Sequence, residues 1–147
     1  MVERKTTVSI GGASGFWGDA QMATPQLLAA GGLDFIVYDY LAEITMAIMG
    51  RVRAKNPDGG YATDFVTAAM APNLHEIARQ GVRIISNAGG VNPQACAEAL
   101  RAEIEKAGLS LTVAIVTGDD LIDRLDEITE RQAVEMFSGA SLPDASK

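Results

Sequence analysis

Five carboxylates, Asp19, Asp39, Glu43, Asp119 and Asp120, stand just after apolar runs or at the start of helical ones. Gathered in one crevice, such groups make general acid–base chemistry available, and their oxygens also suit magnesium. Helix capping accounts for Asp19, Asp39 and Asp120 one by one. Glu43 follows Asp39 by one helical turn, the spacing that sets two side chains on one face. Asn87 and Asn92 bracket Ala88-Gly89-Gly90-Val91. A side-chain amide donates and accepts at once, so it can orient a carbonyl or hydroxyl. Asn92 before Pro93 also reads as a helix cap. The candidates for catalysis are Asp39, Glu43 and Asn87.

A second group is built for close approach rather than proton transfer. Gly11-Gly12-Ala13-Ser14-Gly15-Phe16-Trp17-Gly18-Asp19 combines small residues with one hydroxyl and the single tryptophan. Backbone amides there, near a helix N-terminus, are expected to hold a phosphate or carboxylate. Trp17 suits either a packing anchor or a substrate platform. Gly59-Gly60-Tyr61-Ala62-Thr63-Asp64-Phe65 is expected to fold over the crevice as a lid. The ligand-binding candidates are Gly12, Ser14, Gly15, Trp17, Asp19, Asp64, Asn92 and Asp119. Arg51, Arg53 and Lys55 form a small basic group that suits a solvated face or the phosphates of coenzyme A.

Other chemistries are poorly supplied. With one cysteine, Cys96, and one histidine, His75, the chain has no intrachain disulfide and few soft ligands for structural zinc, and no metal site is assigned. Cys96 lies among alanines and is expected as a small buried hydrophobe. His75 is expected on a helix surface. A net charge of −7 repels nucleic-acid backbones. No apolar run is long enough to span a bilayer, and the N-terminus lacks a signal-peptide pattern, so a cytoplasmic, non-membrane protein is expected.

The elements that must position these residues alternate along the chain. Strand-like runs cover 6–10, 35–38, 82–86 and 111–116, mostly apolar rather than alternating, as in a parallel sheet. Leu41, Ile44, Ile48 and Val52 repeat at helical spacing. Asp64 is placed to cap a helix through Phe65, Ala69, Leu74 and Ile77, which Pro72 should kink. A helix from Asn92-Pro93 carries Ala97, Leu100 and Ile104 and ends at Gly108. Asp120 can cap a helix through Leu125 and Ile128, and Thr129 to Gln132 has capping-box spacing. The fold class is therefore α/β, an open, mainly parallel Rossmann-like sheet with helices on both faces. The α/β domain is expected over 1–137, with 138–147 as a linker or tail. Exposed sheet edges suggest a structure incomplete on its own, completed by the remainder of a longer chain, a partner subunit or an oligomer. In open parallel sheets ligands meet the carboxyl ends of the strands, where the candidates cluster.

Gly12, Gly15 and Gly18 match the GxxGxxG spacing of extended short-chain dehydrogenases, and Asn87-Ala88-Gly89 resembles a stretch of that superfamily. The Tyr-x-x-x-Lys pair of those enzymes is missing, since none of Tyr38, Tyr40 and Tyr61 has a lysine four residues on. The ordered set of loops resembles another family, acyclic terpene utilisation. The opening motif is Ile10-Gly11-Gly12-Ala13-Ser14-Gly15-Phe16-Trp17-Gly18-Asp19. Leu33-Asp34-Phe35-Ile36-Val37-Tyr38-Asp39-Tyr40-Leu41-Ala42-Glu43, Gly60-Tyr61-Ala62-Thr63-Asp64-Phe65, Ser86-Asn87-Ala88-Gly89-Gly90-Val91-Asn92-Pro93 and Gly118-Asp119-Asp120 are similar to its later blocks. Members of that family are longer, so the resemblance implies an N-terminal portion. It also implies a bacterial catabolic context of coenzyme-A-linked breakdown of branched acids and terpenoids, without an established reaction. The function expected is action on a branched acyl-CoA or related carboxylic acid, by hydration, lyase cleavage or hydrolysis. The alternatives are an NAD(P)-binding module and a non-catalytic assembly subunit.

Overall fold

The computed structural model describes residues 6–13, 17–18 and 20–141. Contacts divide the chain into two compact units, Met1–Ile115 and Val116–Lys147. The first is an α/β unit on a three-stranded parallel sheet in the order β1 (Ile10–Gly12), β2 (Phe35–Tyr38), β3 (Arg83–Ser86). Its helices are α1 (Ala23–Ala30), α2 (Glu43–Lys55), α3 (Leu74–Gln80) and α4 (Pro93–Lys106). The second unit contains α5 (Leu125–Glu130). Among the described residues no helix is long and apolar enough to cross a membrane.

Register divides the sheet into two unlike faces. Gly11, Ile36 and Ile84 are partners, as are Tyr38 and Ser86, and side chains alternate along each strand. On this face Ile36 and Tyr38 are buried. The Tyr38 hydroxyl shares a 2.7 Å hydrogen bond with Thr24 of α1, and its ring meets Phe65 edge-on. Gly11 fits here because a Cβ would stand 2.9 Å from Leu33 and 3.0 Å from Leu27. On the opposite face Ile10 is 62% and Ile85 53% exposed, and the Arg83 guanidinium lies over the Phe35 ring. The face of Ile36 and Tyr38 is thus the packed one, and the face of Ile10 and Ile85 is largely open.

The chain between β2 and β3 bends where its sequence removes helical hydrogen bonds. Phe65–Met70 is a π-helical turn whose end bonds Ala71 N to Val66 O. Ala71–Asn73 then tightens to a 3₁₀ turn holding Pro72, which has no N–H to give. Asn73 Nδ2 takes the Ala69 carbonyl at 2.9 Å. Thus the break expected at Pro72 is present, but Asp64 makes no capping bond; the helix already starts at Thr63.

Other boundaries also moved. β1 begins at Ile10, so Gly11 and Gly12 belong to the strand rather than the loop. The run 111–116 makes no ladder among the described residues. Leu111 and Val113 pack on the core instead, and Arg101 Nη2 holds the Val113 carbonyl at 3.0 Å. An apolar run satisfies a strand pattern without specifying an edge to pair with. Thr129 ends α5 rather than capping a new helix: its hydroxyl donates to the Leu125 carbonyl, and its carbonyl accepts the Gln132 N–H at 2.9 Å in the turn that follows.

Candidate functional site

Asp39 and Asn87 are the first residues past the carboxyl ends of β2 and β3. Parallel pairing of Tyr38 with Ser86 brings them side by side. Asn87 Nδ2 donates to Asp39 Oδ1 at 2.7 Å, and Asn87 Oδ1 accepts the Tyr40 N–H at 2.8 Å. Asp39 Oδ1 also accepts the Leu41 N–H at 3.3 Å, an Asx turn. Both side chains remain exposed, so the pair is ordered yet reachable. Asp39 is not a helical position: Ala42 is extended and α2 opens at Glu43. The one-turn relation between Asp39 and Glu43 is therefore replaced by a loop followed by a helix start.

The first loop leaves β1 through Ala13, whose N–H is taken by the Val37 carbonyl at 2.9 Å. That amide is not open to an anion, and Gly12 stands in the ladder opposite Val37. Ser14, Gly15 and Asp19 lie outside the described residues. Gly18 donates its N–H to Asp64 Oδ2 at 2.9 Å, and its φ of +92° suits glycine. Asp64 thus ties the helix start at Thr63 to the glycine-rich loop. Its Oδ1 is buried without a hydrogen-bond partner among the described residues. The Tyr40 ring packs on Phe65, and its hydroxyl is pushed well above the usual phenol range, first by burial and then by the Asp64 charge.

The segment expected as a lid is tied by hydrogen bonds to the loop between β3 and α4. Ala62 donates its N–H to the Ala88 carbonyl and Val91 its N–H to the Gly60 carbonyl, at 2.8 and 3.0 Å. Asn92 Nδ2 grips the carbonyls of Pro57 and Gly59 at 2.7 and 2.8 Å, while Oδ1 caps α4 at Ala95 N. The donors and acceptor of Asn92 are thereby spent on the scaffold. Arg53 Nη1 donates to the Val91 carbonyl at 2.6 Å, so Arg53 braces the same loop. Behind it opens a pocket of about 400 Å³, faced by Trp17, Met49, Val52 and Tyr61 with Gly59 and Gly60 beside them. Asn56, Asp58 and Thr63 supply its polar lining.

The pocket was not legible as such from the sequence. Met49, Val52, Asn56 and Asp58 went unnoticed as lining; the Asn-Pro-Asp-Gly-Gly turn following a helix was the available signal. Thr24 was missed too, in a helix whose composition gives little amphipathic contrast. Cys96 is buried, and that burial pushes its thiol up to about 11. His75 is exposed on α3. In the second unit Asp120 Oδ1 accepts the Ile122 N–H at 3.1 Å, and Asp119 is exposed in the preceding loop. Among the described residues no three His, Cys, Asp or Glu side chains gather to hold a metal.

Comparison with known proteins agrees with the motif order. No curated protein and no solved structure matches the chain significantly. The family described as acyclic terpene utilisation family protein AtuA matches residues 8–147. That match takes in β1 from its start and every element after it, so the chain belongs to the acyclic terpene utilisation family.

Proposed function

We propose that the chain forms the N-terminal portion of a catabolic protein acting on branched acyl-CoA thioesters or related carboxylic acids. The observation that carries this reading is the Asp39–Asn87 pair at the strand ends, one carboxylate held by one amide at 2.7 Å. The Asp39 carboxylate takes or returns a proton, and Asn87 keeps it aimed while lying within reach of a substrate carbonyl. Glu43, the first residue of the exposed start of α2, is a second proton carrier. Arg51 and Lys55, exposed on α2, offer positive charge to coenzyme A phosphates. Hydration, lyase cleavage and hydrolysis all need such a group.

The test uses the intact protein with isovaleryl-CoA, following binding by calorimetry and products by mass spectrometry. The expected outcome is saturable binding, with conversion lost in Asp39→Asn and binding kept within about threefold. Full conversion by a folded Asp39→Asn protein would overturn the assignment. Selective binding of NAD(P) instead would favour a nucleotide-binding module. Absence of any ligand binding by the folded protein would favour an assembly subunit.

A further inference from the structure

We infer that the pocket behind Trp17 is a binding site for a short, uncharged aliphatic chain, and that Asp58 keeps carboxylates out of it. The inference deepens the reading above, since it names the part of the substrate remote from the reacting carbonyl. At about 400 Å³ the pocket sits near the lower end of the range for small-molecule sites, enough for a short chain.

Its walls have the chemistry for one. Trp17 and Val52 offer apolar surface from the first loop and α2. Met49, though it stands along the lining, is 0% exposed and belongs to the packed core. The opposing wall does not yield. A Cβ on Gly59 would stand 2.6 Å from Val52, and one on Gly60 would stand 2.9 Å from Arg53 Cβ. Asn92 and Ala88 hold the backbone there through hydrogen bonds. The cavity is thus a shaped feature rather than a loose loop.

Among the described residues the lining contains no lysine or arginine, and Asp58 contributes its formal charge. The Asp58 charge reaches the Tyr61 hydroxyl, which is raised first by burial, then by Cys96 and Asp58. A carboxylate entering beside Asp58 meets repulsion, and no cation stands among the described lining residues. An alcohol of equal length meets none, and Tyr61 and Thr63 offer it hydroxyl partners.

Trp17 is the single tryptophan, so its emission reports on this pocket alone. The full chain is titrated with hexan-1-ol and with hexanoate at low ionic strength. The expected result is a saturable shift of Trp17 emission with hexan-1-ol and binding of hexanoate about fivefold weaker. Asp58→Asn is expected to close most of that gap, and Val52→Phe to weaken hexan-1-ol. Both positions are exposed, so the fold is retained. No saturable shift with hexan-1-ol, hexanoate binding as well as the alcohol, or a gap untouched by Asp58→Asn would each overturn the inference. Hexan-1-ol has neither thioester nor carboxyl, so its failure leaves the acyl-CoA reading to its own test, and the reverse holds.

Discussion

Asn87 joins two loops through one amide, and Thr24 joins a helix to the sheet through one hydroxyl. The two bonds differ in what their loss would cost. Asn87 is exposed, so Asn87→Ala lets water replace its partners, and a stability loss of about 1 kcal/mol is expected. Under the proposed function its larger effect is expected on acyl-CoA conversion, because Asp39 loses its brace. The Thr24 bond is buried against Tyr38. Thr24→Val strands the Tyr38 hydroxyl and should cost about 1–3 kcal/mol in urea unfolding. The double variant Thr24→Val, Tyr38→Phe should recover most of that loss. If it unfolds as easily as Thr24→Val, the bond is not the source. The position of Asn87 at a strand end was legible in the sequence, because it follows a β-branched run and precedes glycines. Thr24 was not, because nothing local distinguishes a threonine that meets a tyrosine from across the sheet.

At the scale of elements, α2 shows where periodicity misleads. Leu41, Ile44, Ile48 and Val52 are spaced as a buried stripe, yet Ile44 is 76% and Ile48 42% exposed while Met49 is fully buried. The helix packs through Met49 against the loops of Gly60 and Gly90, where a Cβ on Gly90 would strike the Met49 sulfur. Those loops lie far off in sequence, so the stripe could not announce its neighbour. Met49→Ala is expected to cost about 2–5 kcal/mol, whereas Ile44→Ala should stay within about 0.5 kcal/mol. Chemical denaturation of both variants tests this, and equal losses would mean that the Ile44 face is the one packed. β2 and α4, by contrast, were read almost to the residue. β2 is a short apolar run flanked by aspartates, and α4 carries Asn92-Pro93 at one end and Gly108 just past the other. Local capping chemistry writes such boundaries directly. The missing strand at 111–116 was misread because pairing is a property of two segments, and only one was in view.

For the molecule as a whole, the parallel α/β class was legible from the alternation of elements, while the winding of the sheet was not, because strand order depends on tertiary choice. Alkaline sensitivity follows from what the core encloses. Cys96 is held up to about 11 from an ordinary value of 9.0, and Tyr38 and Tyr40 are also raised, in each case chiefly by burial. These groups keep their protons when folded and lose them first when unfolded. Stability is therefore full below about pH 9 and falls as pH rises toward 11, with Cys96 alone contributing about 2–3 kcal/mol of the loss. Urea midpoints measured from pH 7 to 11 should decline in that window, and Cys96→Ala should flatten part of the decline. A constant midpoint would contradict the burial.

The two units should also differ in local stability. The sheet unit holds Ile36, Tyr38 and Met70 almost free of solvent. In Val116–Lys147 no described residue is buried. Its helix α5 has six residues, too short to persist in water by propensity alone. It is joined by ion pairs from Arg124 and Arg131 to Glu127, and exposed pairs of this kind contribute at most about 1 kcal/mol. The bridge between Val134 and Ser141 is isolated and adds no sheet. Local opening of α5 is therefore cheap, while opening of β2 requires exposing the core. Hydrogen exchange followed by mass spectrometry should find the amides of Leu125–Glu130 nearly unprotected. Those of Phe35–Tyr38 should exchange slower by about a thousandfold or more. Comparable protection in the two segments would show that α5 gains stability from packing its surface exposure does not reveal.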